Sequence, residues 1–144
     1  MCTLTTIDYA IYRMTQAHAR YMLVLSHLKT YEAELILLTT SMTFQNLKTQ
    51  ADEIGDHLAT AQTLYKTLEK TPTEPTWVSL RQAIDRINQQ MYMMQIYLLE
   101  LKNQPNRQIK HFGHHLDDIR VTINFGIDVI LQIQCLPAVS SVPN

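Results

Sequence analysis

The positions of the five prolines constrain the fold of this chain more than any other feature of its sequence. They lie in three places: Pro72 with Pro75, Pro105 alone, and Pro137 with Pro143. Proline interrupts a helix because it lacks the donor N–H and because its ring clashes with the preceding turn. Each segment between the prolines can therefore form a long helix, provided that its apolar residues recur at helical spacing.

Two of these segments repeat apolar residues at alternating intervals of three and four. In the segment that follows Pro75 the members are Trp77, Leu80, Ile84, Ile87, Met91, Met94, Leu98 and Leu101. In the segment that follows Pro105 they are Ile109, Phe112, Leu116, Ile119, Ile123, Gly126, Ile130 and Ile133. This spacing places one apolar seam along a helix and is typical of helices that pack lengthwise. It predicts two long helices.

The first seventy residues contain no proline and a single glycine, Gly55, so they could form one helix or two. One apolar seam begins at Ile7 and another begins at Leu47, but the phase between them slips, because the step from Met42 to Leu47 is five. Residues 39–43, TTSMT, are mostly β-branched or hydroxyl residues, which disfavour a helix interior. We therefore predict a turn at 39–43, with an unbroken helix that contains a stutter as the alternative.

Residues that often cap helices precede the predicted elements. Thr5 with Asp8 is the candidate cap of the first helix, Thr76 or Ser79 that of the third, and Asn106 that of the fourth. The predicted fold is all-α: an up-down antiparallel bundle of four helices of about 27 to 35 residues with coiled-coil-like packing. We expect a single domain over residues 1–136 and a C-terminal tail over 137–144.

Composition and motifs indicate a binding protein rather than an enzyme. The chain has 144 residues and a formal net charge of −1, so no overall field attracts it to nucleic acid. It contains no Gly-rich phosphate loop, no G-x-S-x-G and no H-E-x-x-H. We therefore expect no catalytic residue and no cofactor.

Cysteine usage and hydropathy predict an intracellular, cytoplasmic protein. Cys2 and Cys135 are isolated thiols near opposite ends of the chain, which suits a reducing compartment better than a disulfide framework. We see neither a secretory signal nor an apolar run of the roughly 20 residues that a membrane span requires. We expect no membrane partner.

The stretch MYMMQIYLLEL, residues 91–101, contains more apolar residues than one seam needs. The residues off the seam are Tyr92, Met93, Ile96, Tyr97 and Leu99. A helix that is apolar on several sides is either enclosed by its neighbours or meets another chain, and methionine and tyrosine are favoured at interfaces. We predict that these five side chains bind a protein partner or a second copy of the chain. The stretches 21–25 and 35–38 show a similar excess.

A second group of candidate residues surrounds the start of the fourth helix. Its members are Lys102, Arg107, Lys110, His111, His114 and His115, and no acidic residue lies between the first and the last of them. Because the N-terminus of a helix favours anions, this group could contact nucleic acid or an acidic protein surface. The alternative is a solvated face that Asp117 and Asp118 neutralise.

Histidine spacing leaves a metal site as a weak alternative. His111, His115 and Asp118 share one flank of the fourth helix and could offer two imidazoles and a carboxylate to one ion. No Glu-x-x-His pair of the kind found in di-iron bundles supports them. His18 belongs to the seam of the first helix, where we expect a core residue satisfied by a hydrogen bond.

The leading hypothesis is a non-enzymatic helical bundle that binds a macromolecular partner as an adaptor, a regulator or inhibitor, or an assembly subunit. Bundles of this size occur among bacterial accessory proteins and viral regulators, but a likeness of fold alone does not determine function.

Overall fold

The structure, a computed structural model, describes residues 4–36 and 43–133. Most of these residues lie in helices. The elements are α1 (Leu4–Leu28), a 3₁₀ helix (Lys29–Glu34), α2 (Phe44–Lys70), α3 (Glu74–Lys102) and α4 (Arg107–Leu131). These two ranges contain no strand, so the predicted all-α bundle of four helices is confirmed. The helices span 25, 27, 29 and 25 residues, and the expected lengths were too long for α1 and α4.

The four helices form a ring in which each helix packs on the two beside it. α1 packs on α2 and α4, and α3 packs on the same two helices. α3 and α4 are antiparallel: Arg81 near the start of α3 donates to the carbonyl of Leu131 at the end of α4. At the other end, Lys102 of α3 pairs with Asp117 in the first half of α4. α1 and α3 therefore occupy opposite corners of the bundle.

The predicted apolar seams form the core. Every predicted seam residue of α2 and α3 is buried, whereas Phe112 of α4 and Ile133, two residues beyond its end, are only half-buried. His18 is half-buried in the seam of α1, and its Nε2 donates to the carbonyl oxygen of Ala51 in α2 at 2.8 Å. The expectation that His18 is a hydrogen-bonded core residue is confirmed.

Two glycines allow α4 to approach its neighbours closely. A Cβ atom at Gly113 would lie 2.8 Å from the Leu101 Cβ and 3.0 Å from the Lys102 backbone nitrogen. A Cβ atom at Gly126 would overlap the side chain of Met14 in α1. Both glycines stand on the packed side of α4, so the absence of a side chain lets its backbone pack directly on α3 and α1.

The first seventy residues form two helices, and the alternative of one unbroken helix is wrong. α1 ends at Leu28 and α2 begins at Phe44. The predicted turn at 39–43 lies outside the described residues except for Thr43, which is the N-cap of α2. Thr5 is not a cap, because α1 already begins one residue before it. The predicted tail, 137–144, also lies outside the described ranges.

α3 begins earlier than we predicted. Its N-cap is Thr73, whose side chain accepts a hydrogen bond from the Thr76 N–H, and neither Thr76 nor Ser79 caps it. Pro75 lies inside the first turn, where an N–H has no helical partner and a proline is tolerated. The proline that we read as a boundary is therefore part of the helix.

Candidate functional site

Four large apolar side chains in the stretch 91–101 of α3 point to solvent, and we call them the α3 outer face. Tyr92 is 73% exposed, Ile96 60%, Leu99 57% and Met93 47%. Tyr97, which we predicted to belong with them, is half-buried and packs against the core. It stands three residues after one seam residue and four before another, and this position places it at the edge of the seam.

Amides and apolar groups make up almost all of the α3 surface around this face. Between Arg86 and Lys102 the helix carries one residue of the Asp, Glu, Lys, Arg and His types, Glu100. Glu100 is only 7% exposed. The exposed polar neighbours are the amide side chains Asn88, Gln89, Gln95 and Asn103. The α3 outer face is therefore an uncharged apolar surface, in contrast to the charged surface that usually covers a solvated helix.

The α3 outer face repeats the spacing of the buried seam on the opposite side of the same helix. Gln89, Tyr92, Ile96, Leu99 and Asn103 follow one another at intervals of three, four, three and four, and all five are exposed. This spacing lets side chains of one helix interlock with those of another. A helix from a partner could pack on the exposed side of α3 in the way that α2 and α4 pack on its buried side.

One end of α3 holds the chain segment that follows the 3₁₀ helix. The side chain of Gln104, 1% exposed, accepts a hydrogen bond from the Ile36 N–H at 2.8 Å and donates to the Ile36 carbonyl at 2.7 Å. The side chain of Ile36 is 48% exposed. Of the other stretches with excess apolar residues, 21–25 exposes Leu23, and residues 37 and 38 lie outside the described ranges.

Four of the six candidate cationic residues are exposed, and we call them the α4 basic cluster: Arg107, Lys110, His111 and His114. None of them forms an ion pair with any residue that the structure describes. Asn106 is the N-cap of their helix, and its side chain accepts hydrogen bonds from the N–H groups of the second and third helical residues. The predicted cap of α4 is confirmed.

Lys102 and His115 differ from the other four. Lys102 Nζ lies 3.0 Å from Asp117 Oδ2, and Arg120 Nε lies 2.8 Å from Asp117 Oδ1. Burial by itself would raise the pKa of Asp117, but the hydrogen bonds from Arg120 and Lys102 outweigh it and hold this pKa below its ordinary value. Lys102 therefore ties α3 to α4. His115 is half-buried, and its ring centroid lies 6.3 Å from that of His111.

The metal alternative has no ligand set in the structure. Within residues 4–36 and 43–133, no three His, Cys, Asp or Glu side chains come together in a group that could hold an ion. His111 and His115 are neighbours, but Asp118 does not form with them a group that could hold an ion.

A second exposed apolar surface, which we did not predict from the sequence, lies at the junction of α1 and α4. Phe125 is 72% exposed, Tyr9 58%, Tyr12 55% and Val121 55%. The signal was available, because all four are large residues off the seams of their helices. We used that criterion only for the stretch 91–101 and for the short apolar runs of the first segment.

Comparison of the chain with family models, curated proteins and solved structures found no match. Over the described ranges, none of the helices combines the length and the apolar character that a membrane crossing requires. Functional inference for this protein therefore depends on the two surfaces and the basic cluster described above.

Proposed function

We propose that this protein is not an enzyme and that it acts by binding a macromolecular partner through the α3 outer face. The observation that supports the proposal most strongly is the exposure of Tyr92, Met93, Ile96 and Leu99 on a helix face that has no exposed charge. Contiguous exposed apolar side chains are uncommon on a monomer and mark interaction sites. Tyrosine and methionine are also enriched in the cores of interfaces.

The size of the face sets a limit on what it can achieve alone. Fully burying a large apolar side chain stabilises by roughly 1.5 to 3 kcal/mol, so these four, about half to three quarters exposed, would contribute roughly 5 kcal/mol. Association itself costs an estimated 4 to 15 kcal/mol. A stable complex therefore requires a larger contact, which Gln89, Gln95, Asn103 and Ile36 are placed to extend.

A site-specific photo-crosslink in the native host tests the proposal. A photoreactive phenylalanine analogue replaces Tyr92, and in a control protein it replaces Thr63, an exposed polar residue of α2. We expect a discrete cross-linked product from position 92, either with another protein or with a second copy, and none from position 63. Adding Ile96→Lys and Leu99→Lys to the first protein should remove the product. Identical products from both positions would contradict the proposal.

A second candidate function is contact with a polyanion through the α4 basic cluster. The observation that favours it is that Arg107, Lys110, His111 and His114 are exposed and have no ion-pair partner in the described parts of the chain. Lys102 already forms an ion pair with Asp117, so it is one cation fewer for a polyanion. For this reason we rank this function second.

Salt dependence and charge reversal test the second candidate. Binding to labelled single-stranded RNA, DNA or an acidic peptide should weaken steeply as salt rises. Arg107→Glu with Lys110→Glu should abolish it. If binding is unchanged in that double variant, the cluster is only solvated surface.

A further inference from the structure

The surface at the junction of α1 and α4 combines an apolar groove with two arginines that form no ion pair within the described part of the chain. The groove has a volume of about 250 Å³ and is lined by Tyr9, Ala10, Arg13, Phe125, Gly126 and Val129. Gly126, where the α4 backbone packs closely on Met14 of α1, forms part of the floor between the two helices. The volume is below the range of about 300 to 1,000 Å³ that is typical of small-molecule pockets, and it suits one large side chain of a partner better.

Arg13 is held in position beside the groove. Its Nη1 donates to the Tyr9 hydroxyl at 2.9 Å, and its guanidinium carbon lies 5.7 Å from the centre of the Tyr9 ring. A guanidinium has five N–H donors, so most of them remain for a partner. Positioned in this way, Arg13 loses less conformational freedom on binding than an arginine without contacts would.

Arg20 lies two turns further along α1 than Arg13. It lines a wide, shallow depression with Tyr12 and Thr122, next to the groove. Neither Arg13 nor Arg20 lies within ion-pair distance of a carboxylate among the residues that the structure describes. Seven residues at 1.5 Å each separate the two arginines by about 10.5 Å along the helix.

The charge on the α4 side of this surface has the opposite sign. Asp118 and Asp128 are exposed on α4, on either side of Val121 and Phe125 in the sequence. A nucleic acid, with phosphates along its whole length, would meet these carboxylates. A helix with acidic residues on one flank only can place them over α1 and keep them away from α4.

We infer that the α1–α4 surface is a second docking site, and that it binds an amphipathic helix with one large apolar side chain for the groove and two carboxylates about two turns apart for Arg13 and Arg20. Arginine and aromatic residues dominate the energetics of protein interfaces, and Tyr9, Tyr12 and Phe125 supply the aromatic contacts. Because α1 and α3 occupy opposite corners of the bundle, this site and the α3 outer face can be occupied at the same time. The protein would then connect two partners.

Selection from a displayed library of 18-residue helices against the full chain tests this inference. The helices that depend on this surface are identified by counter-selection against the Arg13→Glu, Arg20→Glu double variant. We expect them to carry Asp or Glu at positions seven apart and a large apolar residue between these positions. Helices without this acidic pattern, or no helix that the counter-selection removes, would overturn the inference.

Affinity measurements on the selected helices provide matched controls. Binding should fall roughly tenfold in the Arg13→Glu, Arg20→Glu variant. It should change less than about twofold in a variant with the same charge change at Arg86 and Lys70, which are exposed and form no ion pair with any residue of the two described ranges. Equal losses in the two variants, or stronger binding of single-stranded DNA than of the acidic helices at this surface, would refute the inference. Ile96→Lys should leave this binding intact, so a failure of the proposed function at α3 is measured separately.

Discussion

Replacement of Gly113 by alanine should destabilise the protein, although alanine is the better helix former. In an isolated helix this change would stabilise by about 1 kcal/mol. In the bundle, the new Cβ would lie 2.8 Å from the Leu101 Cβ, 3.0 Å from the Leu101 carbonyl carbon and 3.0 Å from the Lys102 nitrogen. Two of these three atoms belong to the backbone of α3, so a side-chain rotation cannot relieve the overlap.

The overlap must instead separate α3 from α4, and overpacking of this kind typically costs about 1 to 3 kcal/mol. We take the upper part of that range because the obstacle is backbone. After subtracting the gain in helix propensity, we expect Gly113→Ala to lower the free energy of unfolding by about 1 to 2 kcal/mol. For a chain of this size, that corresponds to a melting temperature lower by about 5 °C.

Urea unfolding followed by circular dichroism and by the fluorescence of the buried Trp77 measures this change. Gly55→Ala is the matched control, because the nearest atom to its new Cβ, at 2.9 Å, belongs to the His18 ring rather than to backbone. We expect a smaller effect there. If Gly113→Ala were about 1 kcal/mol more stable than the wild type, helix propensity alone would account for the change in stability. The close approach of α3 and α4 would then be refuted.

Three further changes test other parts of the core. Tyr21→Phe removes a buried hydroxyl that has no hydrogen-bond partner among the residues of 4–36 and 43–133, and burial raises the pKa of this hydroxyl. It should leave stability unchanged or increase it by up to about 1 kcal/mol in thermal unfolding, and a loss of more than that would show that the hydroxyl has a partner. Gln104→Leu leaves the N–H and carbonyl of Ile36 without their side-chain partner. It should lower the free energy of unfolding in urea by about 2 kcal/mol, and an unchanged free energy would refute this role of Gln104. Because the pKa of Asp117 is lowered in the folded state, its charge stabilises the fold above the ordinary value of 3.8, and this contribution disappears as the pH falls through the lower folded value. The stability difference between wild type and Asp117→Asn should therefore be constant from neutral pH down to about pH 5 and shrink in stronger acid, whereas a difference that grew in acid would contradict the depressed pKa.

The residues that form the interior of the bundle could be predicted from the sequence, because the pattern that identifies them lies within each segment. Alternating three-four spacing is a property of each segment alone, and residues such as Leu80 and Ile84 are buried as that spacing requires. The start of α3 was misplaced for a reason equally local, since Pro75 was read as a break although the first helical turn tolerates proline.

Contacts between segments could not be predicted in the same way. The pairing of Lys102 with Asp117 depends on the register of α4 against α3, and the sequence does not specify a register. The two hydrogen bonds between the Gln104 side chain and the Ile36 backbone depend on the path of the chain after the 3₁₀ helix. For this reason the sequence did not predict that Lys102, one of the six candidate cations, forms an ion pair. The exposure of Tyr92 and Ile96, in contrast, follows from their angular position on α3 alone.

Three neighbouring methionines of α3 provide the most direct test that the α3 outer face meets a partner. Met93 is 47% exposed, whereas Met91 and Met94 are 1% and 0% exposed. Exposed methionine is oxidised by hydrogen peroxide to the sulfoxide, and the product is read by mass spectrometry of peptides. In the dilute purified protein, Met93 should oxidise much faster than Met91 and Met94. In intact cells of the native host, the account predicts that Met93 becomes as protected as the other two, and oxidation of Met93 at the same relative rate in both settings would contradict it.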